Sequence, residues 1–254
     1  MTVNREEIVH GLRGLGLASG DVVLMHSSLS SLGQVDGGAQ TVIEALLEVL
    51  GPEGTLLMPS FQGGGEHDLL RRGCVFDLRT SPSELGLITE TFRLLPNVIR
   101  SISPTHCTAG CGKRAAEILD GHQYCNVSVG HGSPYEKLVR AEGKILLLGV
   151  THASNTTLHL VENTHGAPTI CREKFNPLVI DAGGRCWTVP MHSHMPGLKR
   201  RYPRVEDELV GAGIQKNGLV GQATCRLVQA GPMAQAIGRR IRENPLYLCE
   251  VFTP

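Results

Sequence analysis

The chain is 254 residues long, with 24 basic and 24 acidic side chains, 41% apolar residues and 19% charged ones. That length and composition fit a globular chain with a sizeable core and exclude a disordered one. The zero formal charge argues against a general nucleic-acid binder, whose affinity for phosphate backbones needs a local surplus of Lys and Arg. Glycine is abundant, at 31 residues, and aromatics make up only 4%, so tight turns and an aliphatic core are expected. The 11 histidines invite a chemical reading.

In chain order, residues 2–15 read as a helix, with Ile8, Val9, Leu12 and Leu15 at helical spacing. The first dozen residues carry Asn4, Arg5, Glu6 and Glu7 and nothing like a signal peptide, and no run reaches the ~18 apolar residues of a membrane span. Residues 22–25 form a short buried strand, followed by a polar loop from His26 to Gly33. Residues 39–50 are a strong helix ended by Gly51-Pro52, and 55–58 a second strand stopped by Pro59. Residues 60–80 look irregular, with Gly63-Gly64-Gly65 in a loop of a length that is usually functional. A helix over 83–95, capped by Ser81 or Ser83, is closed by Pro96, and residues 100–112 read as a polar loop. Helices over 113–119 and 135–140 and the clear strand 144–150 follow, and a further helix starts at 156. Beyond residue 175 the pattern turns to short strands, 178–180 and 186–189, then a helix over 206–212, a strand over 221–227 and a last helix over 231–243. The expected fold is a single α/β domain over 1–254, with the α/β core in about 1–170 and a β-rich C-terminal elaboration in about 171–254.

Three segments carry candidate chemistry. The small hydroxyl residues of Ser27-Ser28-Leu29-Ser30, between a buried strand and a helix, let backbone N–H groups approach an anion; the alternative is a serine-rich turn. No GxGxxG and no GxxxxGK[ST] occurs, which argues against a dinucleotide or P-loop site. Arg100-Ser101 and the turn Pro104-Thr105-His106 are a second anion-binding candidate. The third is the segment from Gly149 to Glu162: a strand runs out, Ser154 or Asn155 caps the next helix, and His159 and Glu162 fall three apart on one face. A carboxylate beside an imidazole fixes its tautomer and raises its basicity, which makes a general base; the alternative is a surface His–Glu pair.

Two other readings use the remaining His and Cys residues. His192 and His194, on one face of a strand, with Cys107 and Cys111, have the residue types of a metal site but not the spacing of one. Cys107 beside His106 has the types of a thiol nucleophile, although neighbours on a strand point apart. All eight cysteines are expected as free thiols of a cytoplasmic protein, since none sits in a CxxC pair.

Together, DVVLMHSSLSSLGQVDGG (21–38), GTLLMPSF (54–61), FDLRTSPSELGLITETFR (76–93), RSISPTHCTAGCG (100–112), HGSPYEKL (131–138), KILLLGVTHASNTTLHLVE (144–162) and GLVGQATCRL (218–227) resemble the aminoglycoside 3-N-acetyltransferase family. The resemblance runs from about residue 5 to 250. It implies the family's own mixed α/β fold, acetyl-CoA as co-substrate, no metal, and transfer of the acetyl group to the 3-amino group of an aminoglycoside, or to another primary amine of biosynthesis. By the same resemblance, Ser27, Ser28, Leu29 and Ser30 hold CoA, with Arg100, Ser101, Thr105 and His106 opposite. His159 is the catalytic base, Glu162 orients it, and Thr157 is an oxyanion donor. Asp68, Asp77, His192 and His194 are expected at the acceptor. The expected partners are a small-molecule amine, no nucleic acid and no membrane, for a monomer or homodimer. A metal-dependent hydrolase using His159, His192 and His194, and a CoA-binding relative without activity, are the competing readings.

Overall fold

The computed structural model describes residues 2–250. Helix α1 (Arg5–Leu15) starts three residues later than its periodicity suggests, because Asn4 caps it: the Asn4 side chain accepts from the Glu7 N–H and the Glu7 carboxylate accepts from the Asn4 N–H. There follow β1 (Val22–Ser27), α2 (Gly38–Leu50), β2 (Thr55–Pro59), α3 (Glu66–Arg71), β3 (Val75–Asp77), α4 (Leu87–Arg93), β4 (Ile99–Arg100) and β5 (Thr108–Gly112). The middle of the chain supplies α5 (Ala115–Leu119), α6 (Pro134–Arg140), β6 (Lys144–Leu148), α7 (Thr157–Thr164), β7 (Ile170–Phe175), β8 (Leu178–Ile180), β9 (Cys186–Thr188) and β10 (Met191–His194). The chain continues through α8 (Glu206–Gly211), β11 (Gln215–Val220), β12 (Ala223–Gln229) and α9 (Ala230–Glu243).

A seven-stranded mixed sheet, ordered β11-β12-β6-β1-β2-β5-β4, forms the centre. Strand β1 is parallel to both β2 and β6, and every other pairing in the sheet is antiparallel. The β-rich part from residue 170 on supplies β11 and β12 to this sheet, besides the small sheet β10-β7 and the strands β8 and β9 that join β3 in a third sheet.

Strands β1, β2 and β6 are apolar without alternation because both of their faces are covered. Val23, Met25, Leu56, Met58, Leu146 and Leu148 pack with α1, α2 and α4 on one side. Val22, Leu24, Leu57, Ile145 and Leu147 pack with α6, α7 and α9 on the other. Truncating a fully buried Leu such as Leu146 to Ala costs about 2–5 kcal/mol.

Several local expectations shift: the stretch 60–80, expected to be irregular, contains α3 and β3. The helix expected from residue 83 begins at Leu87, because Ser83 stays extended, giving its N–H to the Glu90 carboxylate and its hydroxyl to Thr89. The polar loop expected over 100–112 contains β5, whose glycines allow close approach: a Cβ on Gly110 would come within 2.6 Å of the Leu57 side chain. The strand expected from 221 starts at Ala223, and Gly221 and Gln222 form the turn from β11.

Candidate active site

The parallel strands β1, β2 and β6 end on the same side, and α2 and α6 cover opposite faces, so β1 lies at a topological switch point. Open α/β sheets leave a crevice there, beyond the strand carboxyl ends. Two cavities occupy this end. The first, about 240 Å³, is lined by His26 and Ser27 from the end of β1, Pro59 and Phe61 after β2, and Ser154 and Thr156 after β6. Next to it, Ser27, Ser28, Leu29 and Ser30 line a groove against residues 85–88 at the start of α4. The second cavity, about 590 Å³, is lined by Glu66, Asp68, His106, His159, His194 and Arg200, among others. Phe61 of the first cavity lies 4.9 Å, centroid to centroid, from the His106 ring of the second. Side chains lining the two spaces are thus in contact at Phe61 and His106.

Helix α7 carries the central pair. Its start is fixed by Asn155, fully buried, whose carbonyl accepts from the Thr157 N–H while its amide NH2 donates to His152. His152 bonds in turn to Gln215 at the start of β11. Ser154, the other expected cap, lines the first cavity instead. One turn on, His159 Nδ1 lies 3.1 Å from Glu162 Oε2, so the pair expected from the i,i+3 spacing is formed.

Tyr202 completes it. Its hydroxyl donates to Glu162 Oε2 at 2.7 Å and lies 2.7 Å from His159 Nδ1. Since the phenol proton goes to the carboxylate, Nδ1 carries the imidazole proton and Nε2 keeps its lone pair. Burial, and then the nearby His194, lower the His159 pKa to about 3, so the ring is neutral at working pH. Burial alone would raise the Glu162 carboxyl, but His159, Arg200 and Tyr202 outweigh it and hold it below its ordinary value. Glu162 is fully buried, with Arg200 Nε 3.6 Å from its other oxygen and Cys249 donating to that oxygen.

Glu66 is the second centre, and the sequence reading did not single it out. Its Oε1 accepts from Thr105 Oγ1 and Ser128 Oγ and lies 3.2 Å from His106 Nδ1. Its Oε2 accepts from the main-chain N–H and from Nδ1 of His194, at 2.7 and 2.5 Å. Four donors saturate this carboxylate, and His106 Nδ1, beside it, lies nearer Ser128 Oγ at 2.8 Å. Burial would raise its pKa, but His194 and His106 hold it well below the carboxylate range. The His194 Nε2 accepts from Asn163. Both nitrogens of His194 are thus engaged, and its ring centroid lies 4.2 Å from that of His159.

Several expected site residues sit elsewhere. Arg100 gives its guanidinium to the carbonyls of Leu78, Ser81 and Ser60, and Ser101 is buried on His122, so neither lines the groove beside Ser27–Ser30. Thr105 and His106 face Glu66 and not that groove. Thr157 is buried with its hydroxyl unpartnered among the described residues, and its neighbour Thr156 lines the cavity. Asp68 lines the larger cavity, whereas Asp77 pairs with Arg79 away from it.

His192 and His194 do not share a face as strict alternation predicts, because the register of β10 shifts between them. His192 bonds to the Glu173 carbonyl at a half-buried position, while His194 turns in to Glu66. Cys107 is fully buried, donates to the Ser101 carbonyl, and has its pKa raised by burial, which removes it as nucleophile or ligand.

Residues 24–242 match the family described as aminoglycoside 3-N-acetyltransferase. The chain belongs to the aminoglycoside 3-N-acetyltransferase family. As such it is an acyltransferase, which sets aside the metal-dependent hydrolase reading. It is 33% identical to aminoglycoside N(3)-acetyltransferase IV of Salmonella sp over 251 residues, covering 96% of this chain and 90% of that protein. It superposes with a TM-score of 0.84 on a variant of aminoglycoside acetyltransferase AAC(3)-IVa solved with a gentamicin, at 30% identity over 98% of this chain and 95% of that one. AAC-IIIb, solved as a binary complex with CoASH, superposes at 0.83 with 25% identity and full coverage of both chains. Among the described residues, no helix is long and apolar enough to cross a membrane.

Proposed function

We propose that the chain transfers the acetyl group of acetyl-CoA to a primary amine by direct attack in a ternary complex, with His159 as general base. The observation that carries this reading is the Tyr202–Glu162–His159 chain of hydrogen bonds on α7, with His159 lining the larger cavity. Acetyl-CoA enters along Ser27, Ser28, Leu29 and Ser30, where hydroxyls and backbone approach a ligand closely and no Lys or Arg lines the groove. The amine occupies the larger cavity.

An amine attacks a thioester only as the free base. As the N–C bond forms, its nitrogen becomes cationic and its remaining protons become strongly acidic. A neutral imidazole of depressed pKa is competent at that moment, because Nε2 takes the proton while Glu162 stabilises the imidazolium at Nδ1. The C–S bond then breaks and CoA leaves as the thiolate.

The solved relatives bound to a gentamicin and to apramycin support an aminoglycoside acceptor, acetylated at its 3-amino group. A second reading keeps the chemistry and changes the acceptor to a less cationic amine. It is favoured by the acceptor cavity itself: Glu66 is saturated, Asp68 is the other carboxylate lining it, and Lys199 and Arg200 lie beside them.

Continuous thiol release from acetyl-CoA, against aminoglycosides, amino sugars and amino-nucleotides, tests both readings. His159→Ala is expected to lower turnover by about 10²–10⁴-fold, the usual contribution of a general base. Near-normal turnover in that variant would refute the assignment of the base.

A further inference from the structure

Away from the acyl-transfer pair, one group of side chains has the composition of a metal centre. Strand β7 pairs irregularly with β10, the step from Lys174 to Ile170 standing opposite the shorter step from His192 to His194, so strict alternation does not place its side chains. Cys171, Glu173 and Phe175 nevertheless all lie close to His67 of α3. The His67 ring meets the Phe175 ring edge-on at 88°, centroids 5.5 Å apart, and its Nδ1 lies 2.9 Å from Ser193 Oγ. Donor atoms of His67, Cys171 and Glu173 all lie within 4.8 Å of one another. Leu70, Phe175 and Met191 form an apolar cluster beneath.

An imidazole, a thiolate and a carboxylate are the nitrogen, sulfur and oxygen donors that zinc accepts together, whereas calcium and magnesium take oxygen. Ser193 engages Nδ1, so Nε2 is the nitrogen left for an ion, and a hydrogen bond at the other ring nitrogen is what orients most histidine ligands. Neither Cys171 Sγ nor the Glu173 carboxylate has a hydrogen-bond partner among the described residues, and both are accessible to solvent. They are free to close the last ångström to the ~3.5 Å ligand separations of a tetrahedral zinc with bonds of about 2.0–2.3 Å. The other close group of such side chains, Glu66, His106 and His194, differs in that its carboxylate oxygens are already filled by four donors.

We propose that His67 Nε2, Cys171 Sγ and a Glu173 oxygen bind one zinc-type divalent cation, with the fourth position left to water. The Cys171 thiol gives its proton to solvent as the bond forms. The ion ties α3, a six-residue helix preceded by Gly63-Gly64-Gly65, to β7. Glu66, the residue before His67, is thereby held where Thr105, Ser128, His106 and His194 converge on it.

The test uses the full chain, stripped with a chelator, desalted, and titrated with Zn²⁺ and separately with Co²⁺. One zinc per chain retained through desalting, and a thiolate-to-cobalt charge-transfer band in the near ultraviolet, are the expected results. Cys171→Ser is expected to abolish the band and to lose at least about 10–100-fold in zinc affinity, the range seen on disturbing a ligand shell. Glu173→Gln, at an exposed position that leaves the core intact, is expected to weaken zinc binding with the band retained. Failure of the wild-type chain to retain zinc, a cobalt derivative without the thiolate band, or equal retention by Cys171→Ser and His67→Gln would each overturn the proposal. None of these readouts depends on acetyl transfer, so they stand apart from the proposed activity.

Discussion

Glu162→Gln isolates the charge of the buried carboxylate from its shape. The glutamine carbonyl still accepts from Tyr202 and from Nδ1, so the His159 tautomer and ring position are retained. What disappears is the attraction between the carboxylate and the imidazolium formed during transfer. With Nδ1 and Oε2 3.1 Å apart and both charges delocalised, the mean separation is about 4 Å, worth about 4 kcal/mol at an effective dielectric constant of about 20. At about 1.4 kcal/mol per decade, kcat falls by roughly 10³-fold. Arg200, 3.6 Å from the other oxygen, loses its counter-charge too, so the variant is also destabilised, by about 3 kcal/mol. Steady-state thiol release is therefore measured well below the variant's own thermal midpoint, with circular dichroism confirming the fold. A loss of less than about tenfold in a folded variant, or a change in KM alone, would refute the role given to Glu162.

Stability should fall as pH drops from 6.5 towards 4. Burial lowers His26 and His159 to about 3 and His122 to about 4, from an ordinary 6.5, so across that window the unfolded chain binds protons that the native chain refuses. Each buried ring contributes roughly 3 kcal/mol to the loss by pH 4, and the depressed carboxyls of Glu66 and Glu162 add theirs below 4.5. Urea midpoints at pH 7 and pH 4.5 measure it, and equal midpoints would contradict the buried-neutral assignment. Gly149→Ala should destabilise the chain by at least about 1–2 kcal/mol from backbone handedness alone. Gly149 sits at φ +69°, where an added Cβ would also overlap the Ser31 hydroxyl; an unchanged thermal midpoint would show that the loop after β1 yields freely.

What could be read in the sequence was local. His159 and Glu162 sit three apart on one helix, so spacing alone brings them together. Glu66 meets His106, Ser128 and His194 from 40, 62 and 128 residues away, and no local pattern announces such a meeting. Tyr202 reaches Glu162 across 40 residues and was hidden for the same reason. Arg100 shows the converse: a lone arginine among hydroxyls suggests an anion, but the fold turns its guanidinium onto three carbonyls. The apolar central strands announced themselves, whereas β7 and β11, ICREKF and QKNGLV, carry too much polarity to stand out as strands.

The position of β12 sets the order in which the molecule can be made. Its residues Cys225–Gln229 pair with Leu148–Lys144 of β6, and β6 is apolar on both faces. A nascent chain that has reached only α7 therefore exposes a bare, sticky strand edge on β6, open to pairing with other chains. The edge closes only after the ribosome has added the 65 residues from the end of α7 to the end of β12, at about 5–20 residues per second a wait of several seconds. Gln215 arrives in the same late segment and anchors His152 ahead of α7. Translation that stops short of β12 thus yields an aggregation-prone fragment, whereas completing it closes the sheet and fixes the start of α7 together.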